Sequence, residues 1–156
     1  MPNMGDDAGS KSAARAVRLR RWPTALIMAI SWTILLMAAW LEPAASGTGT
    51  HQQLGLPPCG LLMATGIPCA TCGYTTAFAA AAHGHLLRAF YVQPAGALLA
   101  LLTAAAAIVA LYSLATGMSL RPLGQAVARP RVFILAAAVI LAAWIYKIVI
   151  AWPPTP

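Results

Sequence analysis

Acid is what this chain has least of. Only three carboxylates, Asp6, Asp7 and Glu42, occur in 156 residues, and charged side chains of both signs make up 8% of the whole. A soluble domain of this size carries about 25% charge, so a water-soluble globular fold is not the first reading. With so few acids, catalysis by a pair of carboxylates is not expected. A phosphate-binding loop is also missing, because the "GTGT" at 47–50 has neither the lysine nor the following helix that such a loop needs. No stripe of basic and aromatic residues runs along the chain, so nucleic acid is not an expected partner. Cysteine is scarce as well. There are three, all between residues 59 and 72, and an odd number of thiols cannot all pair within one chain.

What is present is apolar. Hydrophobic residues make up 60% of the chain, and they gather into three long runs. The first is Thr24 to Leu41, the second Ala95 to Ala115 and the third Val132 to Trp152, with Pro153 and Pro154 ending it. Each is about as long as a helix needs to be to cross the hydrocarbon of a bilayer, which takes roughly 20 residues. Trp22 and Trp40 flank the first run, where interfacial tryptophans are enriched. Pro23 suits the first turn of that helix. The fold class expected is therefore all-α and membrane-embedded, with the lipid bilayer as the first partner and other membrane proteins as the next.

The basic residues set the expected topology. Lys11, Arg15, Arg18, Arg20 and Arg21 precede the first run, and Arg121, Arg129 and Arg131 lie between the second and third. Arginine-rich flanks mark the cytoplasmic side. This places the N-terminus in the cytoplasm, residues 42–94 outside, the 116–131 loop inside and the C-terminus outside. Arg88 is the single Lys or Arg of the long outer segment, and lipid phosphate is its expected contact. Lys147 lies within the third run near its end, where its long stem can snorkel to the interface. Residues 1–21 are expected to form a disordered basic cytoplasmic tail, and 22–156 a single membrane domain. A cleaved signal peptide is the competing reading of the first run, with small residues at Ala44, Ala45 and Ser46. Its apolar stretch is longer than a signal core, so a retained anchor is expected.

Between the first two spans lies "TGIPCATCGYTTAF", residues 65–78. Gly66 and Gly73 permit tight backbone approach, Pro68 biases Ile67 to an extended conformation, and Thr71 or Thr75 is placed to cap a helix starting near Cys72. Helix formers dominate from about Thr71 to Phe90, with Gly84 as a break, and Pro94 falls in the first turn of the next helix. This 71–90 segment is too polar for a fourth span, so a short extracytoplasmic or re-entrant helix is expected.

Cys59, Thr65, Gly66, Cys69, Cys72, Gly73, Thr75 and Ala77, followed by Gly84, Ala89, Phe90 and Pro94, form a pattern over residues 59–96. It resembles the bacterial membrane family called domain of unknown function 2752. The sequence departs from that pattern at Ala70, Thr76, His85 and Gln93, which replace a proline, an arginine, an acid or amide and an asparagine. The resemblance implies a small membrane protein of a bacterial inner membrane and implies no activity.

The cysteines by themselves admit several chemistries. Cys59, Cys69 and Cys72 can supply three sulfurs to a metal, with His83 or His85 as a fourth ligand, and zinc is the metal such spacing suits. They can instead form a disulfide on the oxidising side of the membrane. A redox pair is a further reading, although the βαβ frame of a thioredoxin is not visible. In the plainest reading they are small buried apolar residues in a Gly/Pro turn. The function expected is that of a non-enzymatic structural or accessory membrane protein with an outer-face cysteine motif. The alternative is a membrane redox or metal-binding protein using the three thiols.

Overall fold

The structure, a computed structural model, describes residues 4–151, with side chains placed for 21–150 apart from Arg121. Trp152, Pro153 and Pro154 lie outside the described residues. Among those described there is helix and no strand. Seven α-helices occur in order: α1 Met4–Trp40, α2 Gly60–Thr65, α3 Tyr74–Ala82, α4 Leu86–Val92, α5 Pro94–Thr116, α6 Arg121–Val127 and α7 Pro130–Ala151. A 3-10 turn, Thr50–Leu54, lies between α1 and α2.

Three helical segments are long and apolar enough to cross a membrane: Arg21–Trp40, Pro94–Thr116 and Pro130–Ile150. They coincide with the three runs read from the sequence. Their large side chains point outward, with Ile108 67%, Ile134 68% and Val149 67% exposed. Such a surface is costly against water and stable against hydrocarbon.

One expectation about α1 needs correction. The helix starts at Met4, and Pro23 sits inside it instead of opening it. Alanine, arginine and leucine upstream of Pro23 are strong helix formers and carry the helix back. Pro23 can then offer no amide to the carbonyl four residues earlier.

Hydrogen bonds and close approaches fix how the spans run. Arg21, at the start of the first span, lies against Gly117 at the end of α5. At the other end, α7 reaches the 59–94 segment through Trp144, Tyr146 and Lys147. The three spans therefore alternate in direction. The C-terminal end of α1, the N-terminal end of α5 and the C-terminal end of α7 share one side with the cysteines.

The core is built from small residues. α3 packs against both α5 and α1, which also contact each other. Ala77, Ala80, Ala89 and Ala97 are fully buried and form its centre. Alanine and glycine at a helix contact let backbones come close, which is how helices associate where no water drives them together. Gly96 shows how close. A Cβ there would lie 3.1 Å from the Ala77 Cβ and 3.2 Å from the Tyr74 Cα. The expected break at Gly84 is present, with φ of 80° between α3 and α4, and α5 begins at Pro94 as expected.

Candidate metal centre

The cysteines are held by two pieces of local structure. Cys59 caps α2, and its carbonyl accepts from the Met63 amide at 3.0 Å. α2 ends at Gly66, and the chain turns back through Ile67 and Pro68. Cys69 opens a tight turn in which the Cys72 amide donates to the Cys69 carbonyl at 3.0 Å. Gly73 then starts α3 at a φ of 92°. Neither Thr71 nor Thr75 caps that helix; the cap is Gly73, with no side-chain hydrogen bond. The reason is steric as well as conformational. A Cβ on Gly73 would lie 2.9 Å from the Gly47 carbonyl oxygen, so the position requires a left-handed residue without a side chain.

Two side chains from elsewhere in the fold pin this turn. Gln93, fully buried, donates from Nε2 to the Ala70 carbonyl at 3.1 Å. Trp144 on α7 donates from Nε1 to the Pro68 carbonyl at 2.9 Å. Behind the turn, the hydroxyls of Thr50 and Thr76 share a buried hydrogen bond of 2.8 Å, which ties the 3-10 turn to α3. The turn therefore lies beside the last turns of α7, at the level where that span ends.

The result brings all three thiols together. Their Sγ atoms lie within 4.8 Å of one another, and Cys69 and Cys72 are 3.3 Å apart. All three are free thiols. Tetrahedral zinc with Zn–S bonds of about 2.3 Å sets its sulfurs about 3.8 Å apart, a value these spacings bracket. The cluster thus fits a thiophilic ion with only small side-chain movement. It opens into a cleft of about 380 Å³ that Thr48, His51, Gln52 and Leu62 also line.

The thiols are not electrically equivalent. The Leu62 amide, aided by hydrogen bonds from Cys72 and Cys69, holds the Cys59 thiol down at about 6. Burial, with the neighbouring Cys69 and Cys59 sulfurs, pushes the Cys72 thiol up to about 12. Ionisation is thus easiest at Cys59 and hardest at Cys72, whose proton a metal would have to displace.

The histidines expected as a fourth ligand are elsewhere. α3 runs unbroken from Tyr74 to Ala82, which carries His83 roughly 13 Å along the helix axis from the turn. There its Nδ1 bonds the Ala79 carbonyl at 2.8 Å. His85 caps α4 beyond it. The histidine on the cleft is His51, whose Nε2 bonds the Pro57 carbonyl at 3.1 Å. Sequence spacing gave no signal for His51, because the connection runs through a 3-10 turn inside an apparent loop.

Lys147 departs most from expectation. It does not snorkel to the interface. It is 7% exposed, and its Nζ donates to the Val92 carbonyl at 3.1 Å. A charge within a span is more often turned to the protein interior than to lipid, and that was the available signal. Arg88 is exposed, and it donates to the Ala44 carbonyl at 3.1 Å.

No curated protein and no solved structure matches the chain. Residues 59–107, which begin at the first cysteine and end within α5, match the family model described as protein of unknown function (DUF2752), the family that the cysteine pattern resembles.

Proposed function

We propose that this chain is a non-enzymatic, multi-pass membrane protein that holds a thiophilic metal ion, zinc in the first instance, at Cys59, Cys69 and Cys72. The observation that carries the reading is the convergence of three free thiols, one from the start of α2 and two from the 69–72 turn, within 4.8 Å. A disulfide would use two sulfurs and leave the third with no role. A metal uses all three, and the open cleft leaves the fourth position to solvent, to His51 or to a partner's ligand. When bound, the ion cross-links α2, the 69–73 turn and the start of α3, so its role is to hold the shape of an accessory surface.

The arginines before the first span and around α6 support a cytoplasmic N-terminus. On that topology the cleft lies on the outer face of a bacterial inner membrane. The cleft's access from one end of the span bundle supports a soluble or membrane-bound partner meeting it from that side.

The test is elemental analysis of the purified protein in detergent, together with thiol counting before and after reductant. One zinc per chain, lost in Cys69→Ser and Cys72→Ser variants that retain their helical circular dichroism, is the expected result. Three titratable thiols with no bound metal would overturn the reading. A reductant-dependent rise from one thiol to three would replace it with a structural disulfide.

A further inference from the structure

Between α5 and α7 the apolar surface of the spans folds into a groove. It holds about 300 Å³ and is walled by Leu98 and Leu102 of α5 and by Leu135, Ala136 and Val139 of α7. The groove exists because these helices meet loosely. α5 contacts α1 and α3 far more extensively than it contacts α7, and α7 is exposed from Pro130 through Ala142. Tyr74 and Ala95 line the groove towards the cysteine turn, and Val132, the third residue of α7, lines it towards the start of that helix. Left empty, such a groove deprives its walls of dispersion contacts on one side. Between two membrane spans, the material at hand to fill it is hydrocarbon chain.

The start of α7 adds charge to this apolar slot. Arg129 and Arg131 flank Pro130, immediately before Val132. Both are exposed, and neither guanidinium has a partner among the described residues. A basic pocket between membrane helices on the cytoplasmic side is a recognised form of phospholipid headgroup site, and guanidinium pairs closely with phosphate oxygens. We propose that one anionic phospholipid is held between α5 and α7, with an acyl chain in the groove and its headgroup phosphate at Arg129 and Arg131. The apolar walls supply the chain's burial, and the two arginines select the charge of the head. The inference rests on reading the three long helices as membrane spans and is independent of the thiol site, although Tyr74 lines both the groove and the thiol cleft.

The experiment is native mass spectrometry of the full chain, stripped of lipid in detergent and titrated with phosphatidylglycerol or phosphatidylcholine, with inorganic phosphate as competitor. One phosphatidylglycerol per chain is expected, bound about thirtyfold more tightly than phosphatidylcholine, from the contribution of two arginines near a headgroup. The double variant Arg129→Gln, Arg131→Gln is expected to bind both lipids alike. Ala136→Phe and, from the opposite wall, Leu102→Trp obstruct the groove and are expected to weaken both lipids about tenfold, the effect of about two methylenes withdrawn from contact. Both positions are exposed, so the added bulk stays out of the protein's own packing, and helical circular dichroism should be unchanged. A wild-type chain without the preference for phosphatidylglycerol, a preference that survives loss of both arginines, or groove variants that bind as well as wild type would each overturn the inference. So would displacement of the lipid by inorganic phosphate, which would mark a site for the free ion. A chain that stays in solution without detergent overturns the spans and the inference together.

Discussion

α5 and α7 are both long enough to span a membrane, yet they are attached to the rest of the molecule in different ways. α5 presents Ala95, Gly96, Ala97, Ala100, Ala107 and Ala110, all buried. It is held by close backbone approach to α1 and α3. α7 is exposed along nearly all of Pro130–Ala142 and becomes buried at Ala143 and Lys147. Its attachment to the cysteine segment is a set of side-chain hooks: Trp144 to Pro68, Tyr146 to Tyr91 and Lys147 to Val92. The first kind of contact is spread along a helix and tolerates no added volume. The second is local and can be removed one bond at a time. The cysteine turn stands where the two meet, fixed on one side by the alanine interface and on the other by the hooks.

The largest effect is expected at that junction. In Gly73→Ala the residue must hold a φ of 92° and place a Cβ 2.9 Å from the Gly47 carbonyl, with Val92 and Lys147 also close. Backbone strain and overpacking together are expected to cost about 2–4 kcal/mol. Chemical denaturation in mixed micelles reads that loss. The same variant should lose metal stoichiometry. Full retention of both would show that the turn is softer than the contact distances indicate.

Next comes the alanine side of the comparison. Gly96→Leu drives a large side chain into Ala77 and Tyr74, which stand 3.1 and 3.2 Å from the position of its Cβ. The expected cost is about 1–3 kcal/mol. It should separate α3 from α5 and leave α7 docked. Hydrogen exchange resolved by peptide checks this, with faster exchange in 74–100 and little change in 140–150. Uniform acceleration through α7 would mean that the two attachments are not independent.

The difference between these attachments also explains what could be read from sequence. Long apolar runs and flanking arginines are local signals, so the three spans, the break at Gly84 and the start of α5 at Pro94 were legible. The cysteine pattern was legible as a unit because Cys59, Cys69 and Cys72 lie within fourteen positions. His83 lies at the far end of α3 from the turn and outside the group that the three thiols form. The hooks were illegible because their partners are distant in the chain. Trp144 lies 76 residues from Pro68, and Lys147 lies 55 from Val92. A tryptophan or lysine near the end of a span has a generic interfacial reading, which only the packing of α7 on the turn displaces. Gln93 is similar. It sits at the junction of α4 and α5, buried beneath Ala70, and its Oε1 has no partner among the described groups.

The smallest effect belongs to the hooks. Trp144→Phe keeps the ring's bulk and removes a single hydrogen bond of 2.9 Å, leaving the Pro68 carbonyl without that donor. Bonds of this kind between helices in a membrane average about 0.6 kcal/mol and seldom exceed about 1.7 kcal/mol. A loss of about 1 kcal/mol is expected, because Trp144 and the turn are partly buried. The cost should fall on one place. Exchange at residues 67–73 should quicken and metal release should speed up severalfold, while the alanine interface around Ala77 and Ala97 keeps its protection. Tyr146→Phe, which removes an exposed bond of 3.1 Å to Tyr91, serves as the control. It detaches a hook of the same kind from α4 instead of the turn, so metal release should stay at the wild-type rate. If both variants release metal equally fast, α7 acts on the site by general docking and not through the Pro68 contact.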